Sequence, residues 1–170
     1  MSKIKLDIDS EQNILNMLLD SSSLTSEQMS KINTTSPEIG KTKLETAIEL
    51  NFTDEKKIQK TLSANYSLEL ISLEKKVIDP KIRKIIDLRY LQDNLLVPFE
   101  MTGGILKIAI ADASKLGLMK NLKTITKMEP ELYAATISDI NDFIDRMSRQ
   151  ETKKISSSNV KVEKIEKNKD

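Results

Sequence analysis

The stretch TTSPEIGKTKLETAIEL, residues 34–50, decides how the first part of the chain is read and, with it, the fold. Gly40, Lys41 and Thr42 spell the end of a phosphate-binding loop, and a helical pattern follows at once. Further on, LKIAIAD ends in Asp112, in the manner of a strand that delivers a magnesium-binding carboxylate. The chemistry does not follow the letters. A phosphate loop needs a buried strand running into a glycine-rich turn whose amides cradle the anion. Here Thr35 stands where the first glycine belongs, Pro37 removes an amide donor, and the preceding SEQMSKIN is patterned as a helix. TTSPEIG therefore reads as a loop between two helices, and ILKIAIAD as the second arm of a hairpin.

Working outward, the flanking segments are helical. In NILNMLLD, Ile14, Leu15, Leu18 and Leu19 share one apolar face. Thr25 with Gln28 makes a capping box for the next helix. KTKLETAIEL places Leu44, Ala47 and Ile48 on one side, and a further helix starts at Thr53 with Asp54 and Glu55 in its first turn. LLDSSSLTSEQMSKI and AIELNFTDEKKIQKTL repeat the same order of apolar pair, turn, threonine and acidic turn, so they read as two helix–turn–helix units. After residue 66 the signals alternate. SLELISL reads as a strand, and DPKIRKIIDLRYL opens with Asp79 as cap and Pro80 at the first helical position. NLLVPFEM and ILKIAIAD read as strands joined at TGG, with Pro98 demanding an edge or an irregularity. SKLGLMKNLKTIT is helical, EPELYAAT a strand, and SDINDFIDRMSRQ a last helix capped by Ser138.

The expected class is α+β. A helical subdomain of two helix–turn–helix units, residues 12–65, precedes a small, mainly antiparallel sheet packed with helices, residues 66–149. Residues 1–11 are expected as a flexible N-terminus. Residues 150–170, rich in Lys, Ser and Glu, are expected as a disordered tail or linker, because so few apolar groups cannot offset the entropy of ordering.

Composition narrows the function. Among 170 residues, 31% are charged but the net charge is only +1, so no basic face announces nucleic acid. Aromatic residues are 4% of the chain, which makes any core aliphatic. There is no cysteine and no histidine. Thiolate metal sites and the usual proton-transfer side chain are thereby excluded, and the chain is expected to be no enzyme. No apolar run approaches the roughly 20 residues that span a bilayer, so no direct membrane insertion is expected.

Taken in order, the pieces resemble the N-terminal domain of type II secretion and type IV pilus assembly ATPases. SLTSEQMSKI and NFTDEKKIQKTL stand where that family has its helical units. LEKKVIDPKIRKI matches its L-x-x-x-x-I-D-P, LLVPFEM a strand close to V-L-P, and LKIAIADA its L-x-V-A-M-A-D-P, with Ala113 in place of the proline. SDINDFIDRM falls where the last helix belongs, so the likeness runs over roughly residues 12–148. In one branch the repeats bind cyclic di-GMP through an R-L-G opening. Here the first repeat opens NILN and the second KTKL, with Lys41 or Lys43 in place of arginine and Asn65 near the closing glutamine. Lysine offers a point charge rather than a planar fork.

The resemblance implies a cytoplasmic interaction or regulatory domain, held at the inner membrane through its partners. It would dock a motor ATPase to the inner-membrane platform protein, with no resident cofactor. The family's ATPase core does not occur in these 170 residues, and whether the chain is part of a longer ATPase or stands alone is left open. Candidate anchors are Met17, Leu18, Leu19 and Met29, although apolar residues at helical spacing more often serve a core. A cyclic di-GMP receptor using Lys41, Lys43 and Asn65 is the alternative.

Overall fold

The computed structural model describes residue 6 and residues 8–112 and 117–149. Residues 1–5 and 7 of the expected flexible N-terminus, and the expected tail at 150–170, lie outside the described residues. Four helices come first: α1 (Ile8–Asp20), α2 (Ser26–Ile39), α3 (Lys43–Glu49) and α4 (Glu55–Tyr66). Residues 8–11, expected to be flexible, instead form the first turn of α1, where Ser10 and Glu11 are buried. The cause is tertiary. Glu11 Oε1 accepts a buried hydrogen bond of 2.7 Å from the Leu44 amide, one of the α3 first-turn donors that a helix cannot satisfy itself.

Local chemistry sets most helix ends. Thr25 and Gln28 form the expected capping box on α2. That helix then runs through the segment expected as a loop, with Pro37 inside it. Proline there deletes only the bond to the Asn33 carbonyl, while the cooperative helix continues to Gly40. Gly40 ends it in the left-handed conformation, φ 67°, which lacks the penalty a Cβ would bring. Asp54, not Thr53, caps α4 by accepting from the Lys57 amide, and Thr53 is buried beside it.

The second half contains β1 (Glu69–Leu70), α5 (Pro80–Arg83), α6 (Leu88–Asn94), β2 (Leu96–Thr102), β3 (Ile105–Ile110), α7 (Leu118–Thr126), β4 (Glu129–Ala134) and α8, helical over 137–149. The sheet order is β1-β4-β3-β2. SLELISL, read as a strand, yields only the two residues of β1. Asp79 and Pro80 open α5 as expected. The hairpin of β2 and β3 also forms, turning at Gly103 and Gly104 with positive φ at both, the backbone a two-residue hairpin loop requires. Pro98 lies on an edge strand, and the register shifts between it and Glu100.

The sheet is mixed rather than mainly antiparallel. β4 pairs parallel with both β3 and β1, leaving β2–β3 as the antiparallel pair. The reason is the helix α7, which carries the chain back to the start of β3 so that β4 runs in the same direction. β3 is central, and Ile108, Ala109 and Ile110 are fully buried in succession, as in a strand covered on both faces. One buried aliphatic cluster joins Ile14, Leu18, Ile32 and Leu44 of the helical half to Leu96, Ile108, Leu122 and Phe143 of the other.

Glu11→Ala should lower unfolding free energy by about 1–3 kcal/mol, the cost of a buried amide left without an acceptor. Glu11→Gln, which keeps an acceptor, should lose less. Urea unfolding followed by circular dichroism reads both.

Candidate functional site

The ligand candidates singled out from sequence lie at the start of α3 and the end of α4. Gly40 is the C-cap of α2, and Thr42 is the N-cap of α3, its side chain accepting from the Glu45 amide. The GKT letters are thus a helix stop, a linker residue and a helix start. Lys41 is exposed, and its ammonium pairs with Glu49. Lys43 is exposed at the first position of α3. Asn65 is exposed in the last turn of α4. α3 packs on α2 and α1, whereas α4 packs on α1, β4 and β1. Among the described residues no hydrogen bond joins Asn65 to either lysine.

Of the four apolar anchors, Leu18 is fully buried in the main core. Met17 is buried with Leu62 and Ala134 in a small cluster linking α1, α4 and β4. These two are therefore withdrawn from any surface; for Met17 the reason is that α4, through Leu62, packs on the flank of α1 that lone-helix periodicity leaves open. Leu19 and Met29 are half-buried against the core.

What the structure does assemble lies where α4, the segment after β1 and the start of α8 meet. Helix N-termini leave amides without intrahelical partners. At α8 Thr136, not Ser138, supplies the cap: its Oγ1 accepts from the Asp139 amide at 3.1 Å. Ser138 is instead held by Glu55 of α4, whose carboxylate accepts from the Ser138 amide at 2.7 Å and from its hydroxyl at 2.6 Å. One turn on, Gln59 Nε2 donates to the carbonyls of Ala134 and Ile71, at 2.9 and 3.2 Å. α8 also grips the segment after β1. Asp139 accepts from the Leu73 amide at 3.1 Å, and Arg146 donates to the carbonyls of Leu73 and Lys76 at 2.8 and 2.9 Å. These contacts frame an open cleft of about 570 Å³ bordered by Glu55, Lys56, Gln59, Leu70, Ile71, Ser72, Glu74, Thr136, Ser138 and Asp139.

A second cluster lies on the sheet. Lys107 bonds Glu100 at 2.9 Å and sits 5.8 Å from the centre of the Tyr133 ring. Tyr133 packs edge-on against Phe99, and Lys76 lies over Phe99. The Lys107 hydrogen bond holds the Glu100 carboxyl below its usual range, and the same bond pushes Lys107 up. The bond from Tyr133 to Glu131 raises the phenol. Each shift moves its group away from neutrality, the reverse of what proton transfer needs. Among the described residues no group of His, Cys, Asp and Glu is placed to hold a metal, and no helix is long and apolar enough to cross a membrane.

Sequence reasoning missed Glu55, Gln59, Asp139 and Arg146 as positioning residues. Their partners lie 66 or more positions away in several of these bonds, and no local spacing encodes such a pairing. The signals present were local: Glu55 in a helix first turn, Ser138 as a helix cap, and Leu70, Ile71 and Ser72 in a strand-like run.

The sequence matches the family described as the MshEN domain over residues 66–154, just over half of the chain. The fold is similar to that of MshE in a structure with cdg, with TM-score 0.60 and 19% identity over 79% of this chain and 97% of that one. It is also similar to the N-terminal domain of XpsE, with TM-score 0.59 and 21% identity over 86% of this chain and 98% of that one. No curated protein matches the chain.

Glu55→Ala should cost about 1–2 kcal/mol, the range for losing a helix-capping acceptor, and should increase hydrogen exchange at the Ser138 amide. Glu55→Gln should retain much of both. Mass-resolved hydrogen exchange checks this.

Proposed function

Because this chain belongs to the MshEN domain family, which forms the N-terminal domain of type II secretion and type IV pilus ATPases, we propose that it is a non-catalytic interaction domain that docks a motor ATPase to an inner-membrane platform protein. Its place is the cytoplasmic side of that membrane, reached through partners. The observation that carries this reading is the family match over residues 66–154; Lys41, for its part, is engaged by Glu49. A docking surface does not need that lysine. Leu19 and Met29, half-buried on the helical half, are the anchors retained for it.

The second reading, a cyclic di-GMP receptor with a degenerate motif, is favoured by the similarity to MshE, whose structure is with cdg. Lys41, Lys43 and Asn65 would serve it after release of Lys41 from Glu49.

Capture of the tagged chain from its native cells, with crosslinking and mass spectrometry, separates the two. Recovery of a platform subunit or a motor ATPase is expected. It should survive Lys41→Ala with Lys43→Ala and be lost with Leu19→Glu, in a variant shown by melting to remain folded. Repeated recovery of the chain alone would overturn docking. Calorimetric titration with cyclic di-GMP, abolished by the two lysine substitutions, would establish the second reading.

A further inference from the structure

The sheet has two edges, and they are treated differently. β2 carries Pro98 and a register irregularity, and α5 and α6 pack against it. β1, at the other edge, is only two residues long, Glu69 and Leu70, both exposed; its shortness and the glutamate blunt it, but it has no proline or lysine, and neither α5 nor α6 packs along its outer side. The Ile71 amide donates to the Ala134 carbonyl. In a parallel ladder that bond turns the neighbouring residue outward, so the N–H and C=O of Leu70 point away from β4. No hydrogen bond among the described residues takes up either group. The Leu70 side chain is 49% exposed and borders the cleft described above.

The cleft has a sign. Glu55, Glu74 and Asp139 border it against a single cation, Lys56. Glu55 and Asp139 spend hydrogen bonds inside the protein, and Glu74 is exposed without an ion pair among the described residues. An acidic cleft beside an open strand edge selects an extended chain with cationic side chains. The edge is short, so main-chain pairing supplies few bonds and charge must supply much of the rest. We propose that the free edge of β1 is a strand-addition site for an extended, basic segment of a partner protein, with an apolar residue over Leu70 and a cation toward Glu74. This rests on the docking reading and names the kind of segment that docks.

The test uses the full chain and a fluorescein-labelled synthetic peptide of alternating Lys and Val, read by fluorescence anisotropy, with an alternating Glu and Val peptide as counterpart. Leu70→Pro removes the outward amide without touching the Ile71 bond, and Glu74→Lys reverses the charge at an exposed position. The Lys–Val peptide should bind, and each substitution should weaken it roughly tenfold or more. The Glu–Val peptide should not compete. Absence of Lys–Val binding, equal binding by Leu70→Pro and Glu74→Lys variants that melt like the parent, or equal binding of both peptides would overturn the proposal. So would a dimer of this chain that Leu70→Pro dissolves, since the edge would then belong to a second copy. Platform capture is read on any surface of the chain, so its success alongside peptide failure would sink strand addition and leave docking standing.

Discussion

The contact between Glu55 and Ser138 spans 83 positions and ties the two halves of the molecule together. It meets a demand of the helix end, because the first amides of α8 need acceptors, and Glu55 supplies the one for Ser138 while Thr136 supplies the one for Asp139. Once Glu55 is fixed there, Gln59 one turn along falls on the carbonyls that close the ends of β1 and β4. The same helix turns Leu62 onto Met17 and Ala134. Polar and apolar contacts along one face of α4 thus register helices to sheet. Glu55 is half-buried, and the amide and hydroxyl of Ser138 give each of its two carboxylate oxygens a donor.

Glu11 and Leu44 repeat the device within the helical half. In both cases a carboxylate from one helix meets the amide end of another, where partial positive charge collects. A core of Leu, Ile, Val and Met offers volume but little direction. These polar tethers supply the direction, fixing which helix end meets which neighbour.

On the sheet, Glu100 and Lys107 pair with each other beside Tyr133, which stacks edge-on against Phe99. The open cleft sits at the seam between the halves, against the less protected sheet edge. A partner bound there would touch α4, β1 and α8 together, and so would also act on the contacts that hold the halves in register.

Much was legible from residues alone. The Thr25–Gln28 box, the Asp79–Pro80 start, the glycine hairpin and the failure of GKT as a phosphate loop all depend on local stereochemistry, which a few neighbouring residues determine. The class followed from hydrophobic periodicity, and family membership from the order of the motifs. Other features were decided by partners distant in the chain. α2 runs through Pro37 because cooperative helix formation outweighs one lost bond. The parallel pairing of β4 depends on where α7 returns the chain. Met17 is buried because α4 brings Leu62 against the flank of α1, and Ser138 is held by Glu55 of a distant helix. Sequence determined the elements and their caps, since those energies are short-ranged; only the tertiary structure decided which faces became surface, because burial is a property of what packs against a residue.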